Sequence, residues 1–124
     1  MSDVTATVDT YLAMWNETDS ARRAEHIGRA WTTDGRYVDP MSEAAGYAAL
    51  DEMVRGVQAR FPGHRFTRVS AVDAHHAELR FGWQLAAPDG AVVVAGIDVG
   101  ELGADGRLRR IIGFFGDLPA KAAA

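Results

Sequence analysis

The sequence predicts a single α+β domain in which three helices come first and a mainly antiparallel sheet follows. Between residues 4 and 61 the apolar residues recur every three or four positions, which is the period of an amphipathic helix. From residue 66 to residue 115 they alternate with polar residues, which is the period of a strand with one buried face. The connections in this second half are short and rich in Gly, Asp and Pro, as in antiparallel hairpins. Helices and strands are therefore segregated along the chain, as is typical of the α+β class.

Each of the three predicted helices has an apolar stripe and a start or stop signal. Ser2 or Asp3 is available to cap the first helix, and a residue between 18 and 20 caps the second. Pro62 and Gly63 end the third. The stripes consist of Val4, Val8, Tyr11, Leu12 and Trp15 in the first helix, Ala24, Ile27, Ala30 and Trp31 in the second, and Leu50, Met53, Val54, Val57 and Phe61 in the third.

The segment between the second and third helices is expected to contain a turn, a short strand and a loop. Asp34 and Gly35 are predicted to form a turn, followed by a short strand at residues 36–38 and a loop at residues 41–46. Because a residue that precedes proline disfavours the helical conformation, Asp39 is expected to be extended before Pro40.

Four strands are predicted after the third helix, at residues 66–72, 77–85, 91–102 and 108–115. In the strand 77–85 one face consists of Leu79, Phe81, Trp83 and Leu85, and we expect the helices to cover this face. The strand 91–102 is largely apolar on both faces, and such a strand is normally covered on both. A homodimer through the outer face of the sheet is therefore predicted.

Length, charge and composition exclude several classes of function. The chain has 124 residues, enough for one ordinary core, and we predict one domain at residues 1–118 with a frayed tail at 119–124. A net charge of -4 with scattered arginines gives no basic surface for nucleic acid. The sequence has no cysteine, no apolar run of membrane-spanning length and no apparent leader, so a cytoplasmic protein without a membrane partner is expected.

Two aspartates occupy positions that ordinary packing does not explain. Asp98 lies inside the apolar run from Ala91 to Gly100, and Asp39 stands in the segment Tyr37-Val38-Asp39-Pro40-Met41. A carboxylate buried without a partner costs several kcal/mol or stays protonated. If Asp39 is ionised at the mouth of a cavity and Asp98 neutral inside it, the site holds one base and one hydrogen-bond donor.

With Tyr11, Asp39-Pro40 and Asp98 in that order, the chain resembles the ketosteroid isomerase branch of the nuclear transport factor 2-like superfamily, which also contains the SnoaL-like polyketide cyclases. Tyr11-Leu12-Ala13, Val38-Asp39-Pro40 and the segment 93–116 carry the resemblance. It implies that the helices and a strongly curved sheet form a cone-shaped α+β barrel around an apolar pocket. It also implies an enzyme that needs no cofactor and no metal and that acts on a small apolar carbonyl-containing ligand, steroid-like or polyketide-like.

The resemblance assigns roles to three residues. Asp39 resembles the base that moves a proton between carbons next to a carbonyl, and Tyr11 and Asp98 resemble the two donors to the enolate oxygen. A neutral carboxylic acid used as a donor is known from ketosteroid isomerase itself, so this idea comes with the resemblance. Isomerisation and aldol cyclisation share the first step. The residues expected to line the pocket and bind substrate are Trp15, Trp31, Met41, Phe61, Phe81, Trp83 and Phe115.

Structural explanations compete with each of these roles. Asp39 before Pro40 is also common at the end of a strand, and Tyr11 on an apolar stripe is often only part of a core. Asp98 could form a structural ion pair with Arg80 or Arg110 on a neighbouring strand.

Other polar residues are weaker candidates. His64 is expected in a surface turn, although it and Asp117 are close enough in sequence to strand ends to reach the pocket rim. His75 and His76 would face opposite sides of a strand and cannot jointly bind a metal, so no metal site is predicted.

Two other functions remain possible from the sequence. The first is a non-catalytic domain that binds a hydrophobic metabolite in the same cone. The second is an epoxide hydrolase of the limonene type, which needs an arginine between two aspartates. Arg80 would have to face inward for that reaction, against the predicted alternation of its strand.

Overall fold

The computed structural model describes residues 3–122 and contains, within that range, three helices and a seven-stranded sheet. The helices are α1 (Val4–Asn16), α2 (Ser20–Ala30) and α3 (Tyr47–Arg60). Asp3 caps α1 by accepting a hydrogen bond from the backbone N–H of Thr5, and Asp19 caps α2 in the same way through Arg22. The cap proposed at Ser2 lies outside the described residues.

The strands are β1 (Trp31–Val38), β2 (Glu43–Ala45), β3 (Arg65–Arg68), β4 (Asp73–His75), β5 (Glu78–Ala86), β6 (Val92–Leu102) and β7 (Leu108–Phe115). They form one curved, unclosed sheet in the order β2-β1-β7-β6-β5-β3, and β4 also pairs with β5. All neighbours are antiparallel except β1 and β7, which run parallel. The sheet is therefore mixed, and the α+β class predicted from the sequence is confirmed.

Three predicted elements differ from the structure. Asp34 and Gly35 do not turn the chain, because both lie inside β1, whose pairing with β7 is irregular between Trp31 and Arg36. Part of the predicted loop at 41–46 is the strand β2, which pairs with β1. The predicted strand 66–72 ends early: β3 stops at residue 68 and β4 begins only at residue 73.

The core lies between the helices and the inner face of the sheet. Leu79, Phe81, Trp83 and Leu85 are each at most 5% exposed, which confirms the face predicted for this strand. The helices contribute fully buried residues such as Val8, Ile27 and Leu50. Each helix therefore covers part of the sheet with an apolar stripe. The stripe predicted for the second helix was partly wrong, because Ala24 is exposed and Trp31 is the first residue of β1.

The outer face of the sheet is apolar and open to solvent in the single chain. Val93, Ile97 and Val99 on β6 are 38–48% exposed, and Phe114 on β7 is 58% exposed. Ile97 and Phe114 are directly paired across the two strands, so these side chains form a continuous surface, which we call the outer apolar face.

The end of the chain carries no helix or strand in its described part, residues 119–122. The rest of the predicted tail, residues 123 and 124, lies outside the described residues. Across residues 3–122, every helix is too short or too polar to cross a membrane.

Candidate functional site

A cavity opens between the helices and the inner face of the sheet. It offers about 70 Å³ to the centres of water-sized molecules. Most of its lining is aromatic or aliphatic, and the charged groups in the lining are Asp39, Asp98 and Arg60. The complete lining is Tyr11, Leu12, Trp15, Tyr37, Asp39, Met41, Ser42, Val57, Arg60, Phe61, Phe66, Trp83, Leu85, Val94, Asp98 and Phe115. The three residues proposed to carry chemistry, Tyr11, Asp39 and Asp98, therefore face one cavity.

Asp98 projects from the middle of β6 into the inner end of the cavity and is 3% exposed. Its Oδ2 accepts a hydrogen bond of 2.8 Å from the Tyr11 hydroxyl, and its Oδ1 accepts one of 3.0 Å from the indole N–H of Trp83. Burial raises the pKa of Asp98 to about 7, although the two hydrogen bonds act in the opposite direction. Near neutral pH this carboxyl is therefore divided between its neutral and ionised forms.

Tyr11 lies on the buried stripe of α1, with 1% of its surface exposed. Its ring packs edge-on against those of Trp15, Trp31 and Phe81, so aromatic contacts fix the position of its hydroxyl. Burial, and then the nearby charge of Asp98, raise the pKa of Tyr11 well above its ordinary value. Tyr11 consequently stays a phenol and acts as a hydrogen-bond donor.

Asp39 follows β1 directly and is only half-buried, nearer the mouth of the cavity. Its Oδ1 accepts hydrogen bonds of 2.8 Å from the backbone N–H groups of both Met41 and Ser42, and its Oδ2 accepts one of 2.5 Å from the Tyr37 hydroxyl. A carboxylate has about four acceptor positions, so three donors leave one free. The turn after Pro40 thus holds the carboxylate in a fixed orientation.

Gly113 is the point at which the surroundings of the two aspartates meet. It lies directly opposite Asp98 in the pairing of β6 with β7. A Cβ atom at this glycine would lie 3.0 Å from Asp98 Oδ1, 3.2 Å from Asp39 Cβ and 3.3 Å from the Tyr37 hydroxyl oxygen. The missing side chain therefore lets both acidic residues and Tyr37 approach the same small region.

The structural ion pairs considered for Asp98 are not formed. Its two oxygens bind Tyr11 and Trp83, and Arg80 points outward to Asp73 with an N···O distance of 2.8 Å. The side chain of Arg80 is 69% exposed, in agreement with the alternation predicted for its strand. An arginine between two aspartates, as the epoxide hydrolase alternative requires, is not provided by Arg80.

The predicted lining residues divide into two groups. Trp15, Met41, Phe61, Trp83 and Phe115 line the cavity. Trp31 and Phe81 do not line it: they are 0% and 2% exposed and pack against the ring of Tyr11. These two residues belong to the core, and we remove them from the candidate ligand-binding set.

The remaining candidates lie away from the cavity. His64 contacts the carbonyl oxygen of Pro62 and the ring of Phe61, and Asp117 is exposed; neither lines the cavity. His75 and His76 contact each other at the β4–β5 turn. In the part of the chain that the structure describes, no three His, Cys, Asp or Glu side chains are grouped closely enough to hold a metal ion.

Two residues of the site, Tyr37 and Arg60, and one role, that of Trp83, were not predicted from the sequence. Tyr37 was visible in principle, because it is two positions before Asp39 and alternate residues of a strand share a face. Trp83 was expected as lining, but not as a donor to Asp98. Arg60, the last residue of α3, lines the cavity while remaining exposed, and nothing in its local sequence distinguishes it from the other arginines.

Comparison with known proteins supports the resemblance seen in the sequence. A family model described as a SnoaL-like domain matches residues 8–111. The structure of a putative isomerase of the SnoaL-like family from Agrobacterium tumefaciens str. C58 is 38% identical, with a TM-score of 0.86, and the match covers 90% of this chain and 96% of that one. No curated protein matches the chain.

More distant structures share the fold. A protein of unknown function from Exiguobacterium sp. 255-15, described as NTF2-like, is 21% identical, with a TM-score of 0.71 and coverage of 90% of this chain and 98% of that one. A putative SnoaL-like polyketide cyclase from Jannaschia sp. CCS1 is 17% identical, with a TM-score of 0.66 and coverage of 93% and 89%. At such identities the likeness shows the fold alone. The predicted relation to the SnoaL-like proteins is confirmed by the family model and by the 38% identical structure.

Proposed function

The chain belongs to the SnoaL-like family, and from this premise we propose that it is a cofactor-free isomerase or cyclase that removes a proton alpha to the carbonyl of a small apolar compound. Asp39 acts as the base, and Tyr11 and Asp98 donate hydrogen bonds to the oxygen that becomes negative. The observation that carries the proposal is that two aspartates of different character line one cavity: a half-buried one held by backbone donors, and a buried one whose pKa is about 7.

The hydrogen bonds of Asp98 support its role as a donor. When Asp98 is neutral it carries its own O–H, while Tyr11 and Trp83 still donate to it. Without a ligand, the Tyr11 hydroxyl donates its hydrogen to Asp98, and the hydrogen of neutral Asp98 is available to a ligand oxygen. For both groups to donate to that oxygen, the Tyr11 hydroxyl turns from Asp98 to the ligand. Donors held in a dry site stabilise a developing negative charge better than mobile water does.

The reaction that this arrangement favours conserves charge within the cavity. Asp39 takes a proton from the carbon next to the carbonyl, and the electron pair of that C–H bond moves to the carbonyl oxygen, which becomes an enolate oxygen. Return of the proton from Asp39 to a different carbon completes an isomerisation. Attack of the enolate carbon on a second carbonyl of the same molecule forms a carbon–carbon bond instead, and return of the proton from Asp39 to the resulting alkoxide oxygen completes an aldol ring closure. Both outcomes need the same base and the same donors.

The size of the cavity limits the ligand. A water centre needs about 10 to 15 Å³ of such space, so about 70 Å³ corresponds to roughly five water molecules. The enclosed space thus favours a small carbonyl compound, or the carbonyl end of a larger steroid-like or polyketide-like molecule whose remainder extends past the exposed Met41 and Arg60.

The proposal can be tested without the natural substrate, because proton removal alone exchanges hydrogen with solvent. Cyclopentanone in D₂O is followed by proton NMR, and the enzyme should accelerate loss of the alpha-proton signal. Asp39→Asn should reduce this rate at least a hundredfold, since a positioned base contributes about 10² to 10⁴. Asp73→Asn is the matched control, because Asp73 is exposed on the outside of the sheet. Undiminished exchange in Asp39→Asn would rule out the assigned base.

A non-catalytic binding domain is the second candidate function, and the aromatic lining of the cavity favours it. Trp15 and Trp83 in that lining should report ligand entry through their fluorescence. A protein that binds phenols or cyclic ketones with a fluorescence change, but does not accelerate deuterium exchange into cyclopentanone, is a binder and not an enzyme.

We also propose that the chain forms a homodimer through the outer apolar face. The exposed side chains of Val93, Ile97, Val99 and Phe114 are contiguous across β6 and β7, as expected of a surface covered by a second copy. Ile97→Asp should convert the dimer to a monomer in analytical ultracentrifugation. Leu118→Asp is the matched control, because Leu118 is 94% exposed and lies beyond the last strand. A wild-type protein that sediments as a monomer at all concentrations contradicts this proposal.

A further inference from the structure

Among the described residues, Tyr37 is the only one whose side chain donates a hydrogen bond to the Asp39 carboxylate. The other two donors to Asp39 are the backbone N–H groups of Met41 and Ser42, which belong to the same exposed turn as Asp39 itself. Tyr37 is 3% exposed, and its hydroxyl donates to Asp39 Oδ2 at 2.5 Å. A charge-assisted hydrogen bond of this length is at the strong end of the range for O–H donors.

The position of the Tyr37 hydroxyl is set by packing and does not depend on Asp39. Its ring lies edge-on to Trp15, with the ring centres 5.3 Å apart, and its backbone is paired on both sides, with Ala44 of β2 and Ile111 of β7. A tightly packed ring near the end of a strand, with its backbone paired on both sides, can therefore fix one oxygen of a carboxylate in the following turn.

Tyr37 is suited to hold Asp39 and unsuited to transfer a proton. Burial, followed by the nearby charge of Asp98 and the contacts with Asp39, raises the pKa of Tyr37 far above its ordinary value. The hydroxyl therefore keeps its hydrogen across the whole working pH range. It also lies beside Gly113, as Asp98 Oδ1 does, so it is in the small region where the surroundings of the two carboxyl groups meet.

From these contacts we infer that Tyr37 is a positioning residue: it orients the remaining free acceptor of Asp39 toward a ligand in the cavity and keeps this carboxylate apart from that of Asp98. The inference rests on the proposed role of Asp39 as base. It adds Tyr37 to the three residues to which the family resemblance gives a role. Because Tyr37 acts through Asp39, its loss should change the proton-transfer step and leave ligand binding nearly unchanged.

The first test compares Tyr37→Phe with wild type in the cyclopentanone exchange assay. The variant should show kcat lowered at least tenfold with KM within about twofold, because a carboxylate that has lost this hydrogen bond is held less often in the orientation that proton removal needs. The other titratable or charged groups that line the cavity with Asp39 are Tyr11 of α1, Arg60 of α3 and Asp98 of β6. All three are unchanged in the Tyr37→Phe variant.

Tyr47→Phe is the matched control. Tyr47 also donates through its hydroxyl, to the carbonyl oxygen of Trp31 at 2.7 Å, but it does not line the cavity. A purely structural effect of losing a tyrosine hydroxyl should appear in both variants as lower stability. The fall in kcat at nearly constant KM should appear only in Tyr37→Phe.

The second test does not require turnover. In protein labelled with carbon-13, the carboxyl resonance of Asp39 at neutral pH should have a different chemical shift in Tyr37→Phe from that in wild type, and an unchanged one in Tyr47→Phe. Conversely, the ring carbon that bears the Tyr37 hydroxyl should change its chemical shift in Asp39→Asn. These resonances report on positioning even if cyclopentanone is not exchanged, so a failure of the proposed reaction is distinguishable from a failure of this inference. An Asp39 carboxyl resonance that is identical in wild type and Tyr37→Phe, or a Tyr37 resonance that is unchanged in Asp39→Asn, overturns the inference.

Discussion

Replacing Asp98 by Asn should remove most of the dependence of stability on pH between about pH 5 and pH 8. Asp98 is the only buried carboxyl in the described part of the chain, and burial raises its pKa from 3.8 to about 7. Asparagine has nearly the same shape and keeps an oxygen that can accept from Tyr11 or Trp83, but it has no charge at any pH.

The sign follows from the protons bound in each state. Between pH 3.8 and about 7 the unfolded chain has an ionised Asp98 and the folded protein a neutral one, so folding binds a proton. The stability that Asp98 contributes is complete below its unfolded pKa, and it is lost as the pH rises through its folded pKa. At about 1.36 kcal/mol per unit, the full loss is roughly 4 kcal/mol, and the portion between pH 5 and pH 7 is roughly 3 kcal/mol.

Urea denaturation at pH 5, 6, 7 and 8 measures this difference directly. The free energy of unfolding of Asp98→Asn minus that of wild type should increase by roughly 3 kcal/mol over the range and become level above pH 7. Taking the difference at each pH cancels the contributions of all other titrating groups. Asp73→Asn, an exposed exchange, should show no such trend. If the difference for Asp98→Asn stays constant within about 1 kcal/mol, Asp98 is ionised in the folded protein throughout and the reasoning fails.

Three further outcomes follow from the same geometry. The rate of alpha-proton exchange should fall above about pH 7 in wild type, because Asp98 then loses its hydrogen, and this basic limb should be absent in Asp98→Asn. Gly113→Ala should lower exchange about tenfold in the NMR assay while circular dichroism stays native, since its Cβ would meet Asp98 Oδ1 at 3.0 Å and only side chains need to move. Gly96→Ala should instead lower the free energy of unfolding by about 3 kcal/mol in urea titrations, because its Cβ would lie 2.1 Å from the backbone carbonyl oxygen of Phe114.

The parts of the fold that the sequence predicts well are those whose pattern is local. The helices and the strands β5, β6 and β7 have long stripes with a clear period, and their bounds lie within a few residues of the prediction. β2 is three residues of Glu and Ala, which have little strand propensity, and it exists because β1 is beside it. The parallel pairing of β1 with β7 joins segments about 75 residues apart, and no local pattern encodes a non-local pair.

The residues of the candidate site that could be predicted from the sequence are the charged ones in apolar segments. A carboxylate in an apolar strand is conspicuous, so Asp98 could be found from the sequence alone. Phe81 and Trp83 share the inner face of β5 and are equally apolar, yet only Trp83 reaches the cavity. The difference depends on where the ring of Tyr11 packs, which is a property of the assembled layers and not of the strand.

The two aspartates are best understood as a pair that can carry one negative charge between them. Asp39 accepts hydrogen bonds from three donors and is partly open to solvent. Asp98 is buried and accepts from two donors, and its pKa is raised by burial and, to a smaller extent, by the charge of Asp39. Transfer of a proton to Asp39 would neutralise the outer carboxylate while an equal charge appears on a ligand oxygen beside Asp98. The cavity therefore contains one negative charge before and after the step. The step changes only the position of that charge, which moves from Asp39 to the ligand oxygen deeper in the cavity. A neutral Asp98 and an un-ionised Tyr11 are what that movement requires, because an ionised Asp98 would repel the enolate that its neutral form would stabilise.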